Sequence, residues 1–542
     1  MTPYTSSPTT IPIPVQRNRI TRAPLVAGSI LALLLLAWLG AKISLFHGLS
    51  YTSDLFHLVQ SAYSYLLGRP LLFNNDFGSG GAAHNYFLLP LLGPFAYGGG
   101  AHAFFIITAA LFALAGYCGL KTISQDSEGS FAWGRQAIFL GLLCGPVAFW
   151  IWDDPIYGWH PEIFYIPLSC LFALDLRHHL KRAWLWGILM ALNKEDGAAM
   201  ACSVQLLVLA CASDGRMLPV SQRLGNIAKT ICLWLVVFGA GIFILQVWSD
   251  SGNARLTASL QQLFIGDKNG QLYTLLLSQL EGVGMLWLAG AIYLFREHPS
   301  RWLTLILCSL PLLMVNLVSC LAYVDDLQSM QAHGLLWPAR CALLWALLVC
   351  SVPVYTGIRQ DKAPSRGKLL WLVGASICSL VLQYQFLLSW RGYSAFDRYR
   401  AALGTPRSAL PINSLARDER RFLHCLAKKL DRRVPLAVHP MLFMYFHQHD
   451  FVGVGRHSNA WLPYQVVICE QKGRLQFGNG CAELLDAARQ RGDDRAQVRG
   501  IEVRYRPELK NSIDVCLPPQ ISDTSQRTHE VPKERPSQTQ TG

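Results

Sequence analysis

Lys194, Glu195 and Asp196 stand in a row inside the otherwise apolar run 183–212. Hydrocarbon strongly disfavours ionised groups, so such a cluster must face other protein or water, and it marks a functional site by default. Further ionisable residues lie between other apolar runs. They are Asp54 and His84 in a long polar loop, Asp153, Asp154, His160 and Glu162 in a short one, and Asp325, Asp326, His333 and Arg340 further on. Carboxylates beside histidines and a lysine at the mouth of a helical bundle suit two kinds of chemistry. One is general-base activation of an acceptor hydroxyl; the other is retention of an anionic phosphate or a divalent metal.

Each of these residues also has a structural reading. Asp54 follows the first apolar run by eight residues and fits a solvated loop acid. His84 lies next to the glycine-rich turn 78–81. His160-Pro161-Glu162 reads as a helix start, because proline at the first position and an acid in the first turn are ordinary N-terminal chemistry. That explains Pro161 and Glu162 better than His160. Lys194-Glu195-Asp196 reads as an internally neutralised break, although structural breaks rarely need three charges at membrane depth. The acid pairs Asp153-Asp154 and Asp325-Asp326 are weak signals, and His178-His179 sit among basic residues that set topology. His439, His447, His449 and His457 have no metal-like spacing and read as a solvated surface.

The composition says what must position these groups. Of 542 residues, 52% are hydrophobic and only 15% charged, against about 25% charged in a soluble chain. The net charge of +13 comes from Lys and Arg scattered between apolar spans, which points to basic cytoplasmic loops and away from a nucleic-acid partner. About two dozen polar, proline-rich residues precede the first apolar run, 24–46, which lacks a cleavage site and reads as a retained helix.

Arg17, Arg19 and Arg22 place the segment 1–23 in the cytoplasm. The expected spans are 24–46, 102–120, 133–152, 163–176, a broken 183–212, 230–248, 279–295, 302–322, 335–355 and 369–390, with 85–100 as an interfacial or re-entrant piece. The resulting fold class is mainly α: a polytopic bundle of about ten or eleven membrane segments over 24–392. Breaking 183–212 at the charged triplet returns Arg216, Arg223 and Lys229 to the basic side and lifts the triplet to the level of Asp54 and His160.

Everything after Arg391 then falls outside. The stretch 393–518 reads as a small extracytoplasmic α/β domain, with helices over 415–430 (Ser414 as its N-cap) and 481–491. Its strands are expected at 434–438, 451–454, 465–469, 501–505 and 513–517. Residues 519–542 lack the apolar content to build a core and read as a disordered tail. Of 15 cysteines, those in apolar runs, such as Cys118, Cys144, Cys202 and Cys232, read as packing residues. Cys425, Cys469, Cys481 and Cys516 lie in the outer domain, where one or two disulfides are expected, the pairing being open.

Taken in order, Asp54, His84, His160-Pro161-Glu162 and Lys194-Glu195-Asp196, with His333 in a late outer loop, resemble a family of bacterial membrane proteins known only as a domain of unknown function. That family looks related to the GT-C class of polytopic glycosyltransferases, and the likeness covers roughly residues 25–400. The resemblance implies a bacterial inner-membrane glycosyltransferase that moves a sugar from a polyprenyl-phosphate donor to an extracytoplasmic acceptor. By that resemblance Asp54 takes the acceptor proton, and Lys194 neutralises the departing lipid phosphate with Arg340 or His160 assisting. Glu162, Glu195 and Asp196 orient the cations or bind sugar hydroxyls. The first loop carries a single acid in place of the paired acids of that class, which weighs against a metal; no cofactor is assigned and a divalent metal stays open. The expected partners are the lipid-linked donor and membrane lipid. The rival expectations are a transporter or flippase of a lipid-linked saccharide and a non-catalytic envelope assembly factor.

Overall fold

A computed structural model describes residues 22–76, 78, 84, 86–126, 130–155, 157–212, 220–248, 299–323, 338–356, 366–391, 410–453, 464–475 and 481–518. The described chain is mainly helical, and five of its helices are long and apolar enough to cross a membrane. The expected span 279–295, together with Asp325, Asp326, His333 and His457, lies outside the described residues.

The bundle is built from α1 (Arg22–His47), α2 (Asp54–Tyr63), α3 (Leu89–Gly99), α4 (Ala101–Asp126), α5 (Ser130–Leu143), α6 (Pro146–Asp153), α7 (Tyr165–His178), α8 (Leu180–Asn193), α9 (Gly197–Ala212), α10 (Val220–Trp248), α11 (Pro299–Tyr323), α12 (Pro338–Thr356) and α13 (Arg366–Arg391). Side-chain contacts sort the helix ends into two sets. Lys42 near the end of α1 reaches the end of α6, and Lys194 after α8 reaches Glu162 before α7. At the opposite end Arg182 of α8 pairs with Asp175 of α7, Arg177 donates to the Pro353 carbonyl of α12, and Gln136 of α5 donates to Ser124 of α4. One end therefore gathers acids and histidines, and the other the basic loop 177–182.

The expected span 133–152 lies in one of the five membrane-length stretches, Ala132–Asp153, which bends between α5 and α6 at Gly145, where a Cβ would lie 2.7 Å from the Gln383 side chain and 2.0 Å from the Gly141 carbonyl. The expected interfacial or re-entrant piece 85–100 contains a short helix, α3, that keeps Pro94 inside it and packs on α2. The break inside 183–212 is where the charges demand it: α8 ends at Asn193 and α9 begins at Gly197. At 14 residues, α8 is about 21 Å long, shorter than the hydrocarbon core. Only glycine fits at 197, since a Cβ there would lie 1.8 Å from the Met190 carbonyl.

The C-terminal domain has a five-stranded sheet in the order β2-β1-β3-β5-β4, with β1 Leu436–Val438, β2 Val452–Gly453, β3 Val466–Glu470, β4 Asp494–Val498 and β5 Ile501–Tyr505. β1 runs parallel to β2 and β3, while β5 runs antiparallel to β3 and β4. Helix α14 (Arg417–Lys429) buries Phe422, Leu423 and Leu426 beside the sheet, and α15 (Cys481–Gln490) packs on β3 and β5. Ser414 does not cap α14: its hydroxyl donates to the Pro411 carbonyl, and Glu419 reaches back to the Ala416 N–H at 2.6 Å. The stretch 513–517 is not a strand, because α16 (Lys510–Asp514) occupies its start. Strand β4 escapes a sequence reading because its residues are mostly polar, with alternate ones exposed. Disulfides join Cys425 to Cys516 and Cys469 to Cys481.

This domain docks on the acid end of the bundle, and one apolar core runs through both. Phe443 stacks on Phe56 of α2 with ring centroids 3.7 Å apart, and the Ile412 N–H donates to the Gly48 carbonyl at 3.1 Å. His447 packs against Phe46 and His102, and His102 Nε2 lies 3.3 Å from His47 Nε2.

Burial pushes His447 down to about 3, with His102, His47, His449 and Arg432 all adding positive charge. A histidine depressed in the folded state stabilises docking fully above its ordinary value near 6.5 and progressively less as pH falls towards 3. Acidification from pH 7 to 5 is therefore expected to speed proteolysis between α13 and α14. His447→Phe should flatten that dependence, and a wild-type cleavage rate indifferent to pH would remove this role.

Candidate functional site

The charged triplet and the His-Pro-Glu motif meet where α8 passes into α9 and a short 3-10 turn, 161–164, leads into α7. Asn193 Nδ2 donates to the Pro161 carbonyl at 2.8 Å, which clamps the two breaks together. Lys194 Nζ then donates to Glu162 Oε1 at 2.6 Å, with side chains only 12% and 2% exposed. Burial alone works against both charges, yet each holds the other ionised: Glu162 is pulled down to about 2 and Lys194 is raised. The Oε2 atom of Glu162 and the Oδ1 atom of Asn193 are buried without a hydrogen-bond partner among the described residues.

The first loop joins this centre. The Leu88 N–H donates to the Leu192 carbonyl at 2.8 Å, and His84 Nδ1 lies 2.7 Å from Glu195 Oε1. Burial holds His84 below its ordinary value despite Glu195, so the contact is a neutral imidazole N–H donating to a carboxylate. Asp196 accepts from the Tyr165 hydroxyl. Burial lifts Asp196 to about 6, helped by the Glu195 and Glu162 charges and opposed by Lys194.

The short loop 153–162 is more structured than its acid pair suggests. Asp154, in a left-handed conformation with φ +43°, pairs with His160. Burial disfavours the imidazolium, but Asp154 outweighs it and His160 is raised. Asp153 accepts from the Tyr51 hydroxyl at 2.7 Å. Lys42, 1% exposed, donates to the Trp152 and Asp153 carbonyls at 2.8 and 2.5 Å and so caps α6.

Asp54 opens α2 and is 41% exposed, unlike the other acids. Its Oδ1 lies 3.6 Å from His57 Nδ1, and His57 Nε2 lies 2.5 Å from the buried Asp76. The two halves of the site share one electrostatic space. Tyr86 feels Glu162, Glu195, Asp196 and Asp54 together, and the Asp54 charge also reaches His160. Arg340, in the first turn of α12, is close enough to oppose the Lys194 charge.

Asp54, His84, His160, Glu162, Lys194, Glu195, Asp196 and Arg340 are thus gathered at one end of the bundle, whereas His333 lies outside the described residues. Among the described residues no group of three His, Cys, Asp or Glu side chains is arranged to hold a metal ion. Four participants carry no role in the sequence reading. Lys42 was legible as a lone cation in an apolar span, and His57 as a neighbour of Asp54 one helical turn on. Asp76 and Tyr86 had no local signal, since only folding of the loop brings them in.

The arrangement puts two cations, Lys194 and Arg340, within electrostatic reach of each other and leaves one solvent-reachable carboxylate, Asp54, at the same end. Fold and site together define a helical-bundle chain with membrane-length apolar helices, an acid–histidine–lysine centre at one end, and a small disulfide-bonded α/β domain over that end. Comparison with protein-family models, with curated proteins and with solved structures gives no match.

Proposed function

We propose that this chain is an integral membrane glycosyltransferase of GT-C type. It moves a sugar from a polyprenyl-phosphate donor to an acceptor at the non-cytosolic face of a bacterial inner membrane. The observation that carries the reading is a largely enclosed cation, Lys194, within electrostatic reach of Arg340, in one electrostatic space with an exposed acid, Asp54.

In the reaction the acceptor hydroxyl oxygen attacks the anomeric carbon while Asp54 takes its proton. The bond between that carbon and the donor phosphate oxygen breaks, and the electron pair leaves on the phosphate. Lys194 and Arg340 meet the charge that develops there, in a site where low dielectric strengthens the interaction. Glu162 Oε2 and Asn193 Oδ1 are acceptors lacking donors, which suits sugar hydroxyls.

Two further features support the orientation. The basic residues of the 177–182 loop sit at the end remote from the site, as cytoplasmic loops do. The docked domain carries two disulfides, the chemistry of an oxidising compartment. Clustering of the buried charges at one end of the bundle favours an enzyme over a carrier, whose sites lie near the midplane. Mass analysis of envelope glycans and lipid carriers tests the proposal. Cells lacking the protein are expected to accumulate the charged lipid donor and lose one glycan modification; unchanged pools of both would overturn it.

A further inference from the structure

We infer that His57 is the positioning residue that aims Asp54, and that the C-terminal domain braces the pair through the Val452 carbonyl. What Asp54 does rests on the transfer reading above; the bracing is independent of it.

Asp54 and His57 are three residues apart on α2 and therefore share one helix face. Asp54 is half open, and its contact with His57 Nδ1 at 3.6 Å is the ion pair it makes. The other ring nitrogen of His57 is 2.5 Å from the carboxylate of Asp76, which is 3% exposed. Turning the imidazole would break the 2.5 Å contact with a buried carboxylate, so that contact holds the ring with its Nδ1 edge towards Asp54.

The lock continues outward. Asp76 lies within the turn closed by the paired Asn74 and Gly78, and its N–H donates to Asn74 Oδ1 at 3.1 Å. The neighbouring Asn75 donates its N–H to Gln60 Oε1 at 3.1 Å. The Asn75 and Gln60 side-chain amides then both donate to one acceptor, the Val452 carbonyl on β2, at 2.8 and 2.5 Å. Both residues are buried, so withdrawal of β2 would leave two buried donors unsatisfied. Around this strut Phe443 stacks on Phe56, and the Arg69 guanidinium lies over the rings of Phe73 and Phe451. The aim of the exposed acid is therefore set by a chain of contacts that crosses from the bundle into the outer domain.

Burial works against the imidazolium, but the Asp54 and Asp76 carboxylates outweigh it, and His57 is raised to about 9. A histidine raised in the folded state holds its partners fully below its ordinary 6.5 and releases them as pH climbs through about 9.

The test uses the full chain in lipid nanodiscs. His57→Gln is expected to lower kcat by about 10–100-fold with KM for the donor unchanged, and to abolish the alkaline fall in rate. A merely structural role would not move that limb. Labelling of Asp54 with a carbodiimide and an amine, read by peptide mass spectrometry, reports the tether without any need for transfer. It should be several-fold faster in His57→Gln and in the paired variant Gln60→Ala with Asn75→Ala, which leaves His57 in place. Wild-type labelling in the paired variant, or wild-type kcat and pH profile in His57→Gln, overturns the inference. Faster labelling in a chain whose wild type transfers nothing would sink the transfer reading and leave the bracing standing.

Discussion

Lys194→Met is expected to destabilise the chain by about 3–5 kcal/mol, because it strands a buried carboxylate. Glu162 is 2% exposed and has Lys194 Nζ as its ion-pair partner, while its second oxygen already lacks a donor. Thermal unfolding in nanodiscs should show a large drop in midpoint. Adding Glu162→Gln to the same chain removes the orphaned charge and should restore most of the stability. Sugar transfer should stay absent in the double variant, since nothing then meets the departing phosphate beside Arg340. A single variant as stable as the wild type would mean that the Glu162–Lys194 contact is not the keystone of this centre. Transfer regained in the double variant would remove Lys194 from the chemistry.

Asp54→Asn is expected to behave in the opposite way. The side chain is 41% exposed and its ion-pair contact, to His57, is at 3.6 Å, so protein level and unfolding midpoint should barely change. Loss of a general base lowers a rate by about 10²–10⁴-fold, and the lipid-linked donor should accumulate to match. The same substitution removes one of the two carboxylates that raise His57, so the alkaline limb of any residual activity should move to lower pH. Transfer at the wild-type rate would show that some other group takes the acceptor proton.

Together these variants separate the buried half of the site from its exposed half. The triplet and the His-Pro-Glu turn are architecture first, since the Lys194–Glu162 ion pair ties the α8–α9 break to the turn before α7, and the transfer reading gives the same cation its chemical role. Asp54 makes little architecture of its own, and on the transfer reading its position depends on His57, Asp76 and the docked domain.

Periodicity and composition were sufficient for the long apolar helices, because a run of apolar residues of bilayer length has few alternative structures. The broken 183–212 segment was equally legible, since three charges in hydrocarbon leave no continuous helix as a reasonable solution. The pairings were not. Lys194 with Glu162, His84 with Glu195 and His160 with Asp154 join residues 32, 111 and 6 positions apart, and no local rule selects one carboxylate over another. The acid pair at 153–154 looked ordinary because burial is invisible in a short polar loop. Polar β4 read as loop because its exposed alternate residues carry no apolar signal, and the apolar ends of 513–517 suggested a strand where a short helix forms.

What the chain determined alone was which residues hydrocarbon would refuse, and hence that they must gather where protein or water receives them. Which acid meets which base, and that the C-terminal domain docks against the first loop, was decided only by tertiary packing. The reason is that an ion pair or a buried amide is chosen by distance and desolvation, quantities that exist only once helices from separate parts of the sequence have been brought side by side.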